Sequence, residues 1–206
     1  TPAGAEAAPA PVTELHQDRG PWPSAEVAAP WAPEVVREVV AQGGGQLGDF
    51  RPAGAVFLSF AGIDWDADPR AGERLDRFLR FVQRELAQAG GTLVQVTVGD
   101  KGSYLYAAFG APRAHGDDAQ RAIRCALRLV AATGDEIGEV DGLRAGVAYG
   151  AMYTGSYGAA ERATYGVLGP KTNLAARLMK RAGAGEVLCD PEAARLGQQI
   201  ATVGEV

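Results

Sequence analysis

Residues 165–190 read YGVLGPKTNLAARLMKRAGAGEVLCD. An apolar strand end, Tyr165–Leu168, runs into Gly169-Pro170, and a helix is expected from about Lys171 to Arg181. Gly183 ends the run. The short apolar segment EVLCD then reads as a further strand. Within the helix, Asn173 and Arg177 stand four residues apart and so project from one face. Upstream, residues 90–112, GGTLVQVTVGDKGSYLYAAFGAP, contain two strand-like runs around Gly99-Asp100-Lys101-Gly102. That is a strong hairpin signal.

The remaining elements follow outward from these two stretches. AVFLSFAGI, from Ala55 to Ile63, has the length and composition of a central strand. Asp68-Pro69 is a good start for the helix that follows, which carries Leu75, Phe78, Leu79, Val82 and Leu86 at helical spacing and stops at Gly90-Gly91. Asp117-Asp118 opens another helix with Ile123, Ala126, Leu127 and Val130 inward. Leu143–Tyr149 and the glycine-broken stretch to Gly158 read as a pair of strands with a turn. The expected fold is therefore an α+β sandwich, a mainly antiparallel sheet covered by helices on one side. Residues 1–50 are rich in Pro, Ala and Gly and are expected to form a linker or interdomain arm. A short helix is expected there over Val35–Val40, and the compact domain over 51–206.

Composition narrows the function. The chain has 206 residues, enough for one good-sized domain and an arm, with 20 basic and 25 acidic residues and a net charge of −5. A surface binder of nucleic acid or membrane usually carries the opposite sign. No apolar run approaches the roughly 20 residues needed to span a bilayer, and the N-terminus lacks the pattern of a signal peptide. Cys125 and Cys189 match no metal-ligand spacing, and Cys125 falls among apolar helix positions as a reduced thiol. A cytoplasmic setting is expected. His16 lies in the arm and His115 just before a helix start, where a solvated loop role is the default.

The two stretches quoted above, in that order, resemble the class III adenylate and guanylate cyclase catalytic domain. The likeness is greatest to the second cyclase domain of soluble tandem adenylyl cyclases. It runs from about Arg51 onward, over roughly three quarters of the chain. The resemblance implies a ferredoxin-like class III cyclase sandwich whose site forms at a dimer interface. It implies that Asn173 hydrogen-bonds the nucleotide ribose, and that Arg177 binds the triphosphate and stabilises charge in the transition state. A fixed guanidinium does this at little reorganisation cost. The family uses two metal-binding aspartates, for Mg²⁺ or Mn²⁺, and Asp100 in the hairpin matches one of them. An aspartate there also suits a tight turn without any function.

The sequence departs from the family at three places. Aligning Phe60-Ala61 with the family's Phe-Ala-Asp puts Gly62 where the first metal aspartate belongs. The base-reading Lys is replaced by Gln95-Val96, and the Asp or Thr before the helix by Gly166. Gln95 and the backbone near Gly166–Val167 are the candidates left to meet the base. A domain that keeps Asn173 and Arg177 but lacks a metal aspartate is expected to be the non-metal half of a pair, with the metal held mainly by a partner domain. The expected partners are ATP (or GTP) and a second cyclase domain, in the same parent protein or as a homodimer. The expected reaction makes cAMP and pyrophosphate, and the C-terminus stops where the family continues into further strands. The alternative is a catalytically silent homologue with a regulatory or dimerising role. A GGDEF-type synthase or an RNA-binding sheet fits less well, because the hairpin reads VGDKG and Tyr104 and Tyr106 lack basic neighbours.

Overall fold

The computed structural model describes residues 24–28, 37, 48–99, 102–159 and 162–198. The chain divides into two compact units, Thr1–Gly44 and Gly45–Val206. In the first, a helical turn spans Ala25–Ala28. The helix expected over Val35–Val40 lies outside the described residues apart from Arg37, as does His16.

The second unit contains β1 (Gly48–Ala61), α1 (Ala71–Ala89), β2 (Gly91–Thr97), β3 (Ser103–Phe109) and α2 (Asp118–Ala131). A 3₁₀ turn at Asp135–Ile137 precedes β4 (Asp141–Ala159), β5 (Arg162–Leu168), α3 (Pro170–Arg181), β6 (Val187–Cys189) and α4 (Pro191–Gly197). The strands lie in the order β2-β3-β1-β4-β5, with β6 beside β4. All pairings are antiparallel except β4 with β6, which is parallel. The expected α+β sandwich is therefore what the chain forms.

Alternation along β1 sorts its side chains onto two faces. Val56, Leu58 and Phe60 join Phe78, Val82 and Leu86 of α1 and Ala122, Ile123 and Leu129 of α2 in one core. Full burial of a side chain such as Phe78 or Leu86 stabilises by about 1.5–3 kcal/mol. Ala53, Ala55 and Phe57 point the other way, into a second core with Tyr106, Met152 and Val167 and with Ala175 and Met179 of α3. So α3 covers the face opposite α1 and α2, which corrects the expectation of helices on one side only. The physical reason is local. Gly146 lies on that second face opposite Phe57, and a Cβ there would sit 2.1 Å from the Ala175 carbonyl oxygen. Only glycine lets the α3 backbone come so close.

A second correction concerns β4. The stretch expected to break into two strands is one continuous strand of 19 residues. Its hairpin partner is β5, with Tyr153 opposite Leu168 and Gly155 opposite Gly166. Gly150, one of the glycines that suggested a turn, accommodates a neighbouring side chain instead: a Cβ there would lie 2.8 Å from the Lys171 stem. In β5, a Cβ at Gly166 would lie 2.8 Å from the Tyr157 ring.

Candidate functional site

The site is built on α3. Its buried side, Ala175 and Met179, is one turn apart and faces the sheet, so the opposite side must face outward. Asn173 and Arg177 both lie on that outward side, with Lys180 beyond them, and all three are exposed. Among the described residues neither Asn173 nor Arg177 makes a side-chain hydrogen bond or ion pair. Two strong hydrogen-bonding groups, one amide and one guanidinium, are thus held a turn apart and left free for another molecule.

The start of α3 is anchored from below. The Val167 carbonyl accepts a hydrogen bond from the Tyr106 hydroxyl at 2.8 Å and from the Thr172 hydroxyl at 3.3 Å. Tyr106 is buried and stacks on Phe57 with ring centroids 4.7 Å apart. Burial pushes its phenol up to about 12. Tyr106 therefore ties β3 to the end of β5, and Thr172 closes the first turn of the helix onto the same oxygen.

The Val167 side chain is fully buried, and its carbonyl oxygen braces the helix start by accepting from both hydroxyls. Gly166 is buried beneath the Tyr157 ring. Gln95 stands opposite Tyr106 in the β2–β3 pair, on the same sheet face as α3. It is exposed, and its amide nitrogen donates to the Thr97 hydroxyl at 3.1 Å. Tyr106 and Thr172 thus meet at the Val167 carbonyl beneath the start of α3, and Gln95 stands across the strand pair from Tyr106.

At the far end of β1, Gly62 has φ +87°, and its missing side chain leaves room for the carboxyl of Asp141, whose Cγ lies 3.0 Å from where a Cβ would be. The loop after β1 is braced by Arg74. This guanidinium donates to the carbonyls of Gly62 (2.8 Å), Glu139 (2.9 Å) and Gly138 (3.0 Å) and pairs with Asp68 at 2.8 Å. The same arginine holds the Asp68 carboxyl below its ordinary range. The hairpin turn closes with the Gly102 N–H donating to the Gly99 carbonyl at 2.9 Å, but Asp100 lies outside the described residues. Among the described residues no three His, Cys, Asp or Glu side chains gather as a metal site. The described groups therefore do not fit a divalent cation by themselves, and no chemical step is assigned to one here.

Arg144 is the residue that sequence reasoning missed. It stands opposite Ser59 on the α3 face of the sheet. Its Nε is buried without a hydrogen-bond partner, a costly state for a charged donor. Nothing in the strand pattern LRAGV marks it, because an arginine on a strand is ordinarily a solvated residue. His115, expected in a solvated loop, instead pairs its ring with the buried Asp118 carboxylate at 3.2 Å. The thiols of Cys125 and Cys189 are pushed by burial up to about 12 and about 11, which makes both poor nucleophiles.

Residues 75–205 match the family model of the adenylate and guanylate cyclase catalytic domain. Human adenylate cyclase type 10 is 29% identical over 136 residues, which is 66% of this chain and 8% of that protein. The chain thus spans a small part of that relative's length. Among solved structures, the guanylyl cyclase Cya2 superposes with a TM-score of 0.64 at 22% identity, covering 73% of this chain and 80% of that one. The adenylyl cyclase CyaB from P. aeruginosa gives 0.62 at 22% identity, covering 74% and 83%. At such identities the likeness establishes the shared fold. Among the described residues no helix is long and apolar enough to cross a membrane.

Proposed function

The chain belongs to the adenylate and guanylate cyclase catalytic domain family, and on that premise we propose that it supplies the ribose- and triphosphate-binding half of a site shared with a second cyclase domain. The observation that carries this reading is the free pair on α3. Asn173 and Arg177 are exposed, a turn apart, on a helix whose other side is buried against the sheet.

The reaction proposed is conversion of ATP to cAMP. The ribose 3′ oxygen bonds to the α-phosphorus as the bridging P–O bond to the β-phosphate breaks. The hydroxyl proton leaves to water, and pyrophosphate departs. Asn173 orients the ribose by hydrogen bonding. Arg177 meets the triphosphate and the charge that builds on it, through a charge-assisted hydrogen bond whose donor is already in place. Gln95, exposed on the same sheet face, is the side chain offered to the base edge. The buried, unpartnered Nε of Arg144 makes it a further cationic group on that face. The metal is assigned mainly to the partner domain, with Asp100 as the carboxylate this chain would add.

A second reading, a catalytically silent domain that regulates a partner, draws on Gly62. The position has no side chain, and the Asp141 carboxyl fills the space. One assay separates the two. The chain is tested for cAMP and cGMP formation with Mg²⁺ or Mn²⁺, alone and mixed with a cyclase domain carrying both metal aspartates. The proposal expects little product from the chain alone and clear product from the mixture. No gain on mixing favours the silent reading.

A further inference from the structure

The helix that bears Asn173 and Arg177 is held by a polar tie that crosses the edge of the sheet. Asp190 is 1% exposed and precedes α4, on the face opposite α3. Its carboxylate accepts hydrogen bonds from the Ala193 N–H at 2.9 Å and the Tyr149 N–H at 3.2 Å, and it pairs with the ammonium of Lys171. Lys171 lies in the first turn of α3, two residues before Asn173.

The tie sits where β4 lacks a strand neighbour. On this edge β6 pairs with β4 at Ala145–Val147 and β5 from Tyr153 onward. Between them the Tyr149 N–H would be left without a ladder partner, and the Asp190 carboxylate takes it. Gly150 makes the crossing possible, because a Cβ there would lie 2.8 Å from Lys171 Cε. The lysine stem thus runs over a glycine from one side of the sheet to a buried carboxylate capping a helix on the other.

We propose that Lys171 and Asp190 are positioning residues, a pair that fixes the first turn of α3 and so the aim of Asn173 and Arg177. The inference rests on the proposed role of those two groups. A hydrogen bond from the Thr172 hydroxyl to the Val167 carbonyl holds the helix start to β5, and among the described residues the Lys171–Asp190 pair is the ion pair that links α3 to the start of α4 around the sheet edge. A catalytic constellation displaced by about 1 Å loses roughly a hundredfold in rate, so the pair acts on turnover without touching the nucleotide.

The test compares Lys171→Met, Asp190→Asn and the double variant in the full chain, mixed with a metal-bearing cyclase domain and assayed with ATP and Mn²⁺ at 20 °C. Lys171→Met leaves a buried carboxylate unpaired and is expected to lower Tm by about 10 °C. The double variant removes both charges, keeps an acceptor for Ala193 and Tyr149, and is expected to recover most of that loss. Its kcat is nevertheless expected to stay ten- to a hundredfold below the parent, with KM for ATP changed less than about threefold. A purely structural role predicts that kcat recovers together with Tm, and that result overturns the inference. Arg177→Ala, run in parallel, separates the two claims. If it leaves kcat unchanged, the reading of the site itself fails, whereas a loss there with normal kcat in the double variant sinks only the positioning role.

Discussion

Arg177 and Asn173 are ordinary in composition and unusual only in what surrounds them. Each is solvent-exposed and without a side-chain partner among the described residues, so removing either is expected to cost the fold little. Tyr106 is the contrasting case. Tyr106→Phe removes one of the two hydrogen bonds to the Val167 carbonyl, and a loss of about 1 kcal/mol is expected, read as a drop in Tm of roughly 2–4 °C. The buried Tyr106 also gives a pH signature. Its folded pKa of about 12 lies above the ordinary 10.0, so the unfolded chain gives up that proton first. The stability it contributes is complete below pH 10 and lost as pH rises toward 12. Cys125 and Cys189 act with the same sign from 9.0 upward, toward about 12 and about 11. Denaturation midpoints measured across this range should fall steadily above pH 9, and the fall above pH 10 should be shallower in Tyr106→Phe. A flat profile contradicts this account of the buried groups.

At the level of elements, the apolar runs were legible because a strand buried on one or both faces leaves a pattern in the chain. β1, the β2–β3 hairpin, α1, α2 and the stop signals at Gly90-Gly91 and Gly183 all follow from it. What the pattern cannot carry is the side of the sheet on which a helix lands. Ala175 and Met179 give α3 one buried stripe, but the choice of face is made by Gly146, 29 positions before Ala175 in sequence. The glycines of β4 mislead for a related reason. Glycine signals both a turn and a close approach, and at Gly150 only the packing of Lys171 tells which one applies. Arg144 is not marked in the pattern because a buried Nε without a partner can be recognised only once its surroundings are known. Two predictions belong here. Gly146→Ala places a Cβ against the α3 backbone and is expected to cost about 1–3 kcal/mol, as overpacking does; a neutral effect in chemical denaturation contradicts the placement of α3. Arg74→Met strips the loop after β1 of its carbonyl and carboxylate ties. A Tm lower by about 5 °C or more is expected, and an unchanged Tm means that the brace carries no stability.

The sheet of the second unit presents two unlike faces. One is sealed by α1 and α2 over a large apolar core. The other carries α3, with its outward amide and guanidinium, and the sheet positions Gln95 and Arg144 lie on that same face. The family was readable from the Asn173–Arg177 helix and the Gly99–Gly102 hairpin, since both depend on residue identity and local spacing. The function is less legible, because the proposed site draws on groups from a second cyclase domain as well as on those of this one. The measurement closest to the central claim is turnover of ATP by this domain mixed with a metal-bearing cyclase domain, with Arg177 compared against Arg177→Ala at equal folded concentration. A fall in kcat of about a hundred- to a thousandfold is expected, the loss of roughly 2.7–4 kcal/mol that follows removal of one fixed donor to a developing charge. Equal turnover by the two proteins contradicts the account.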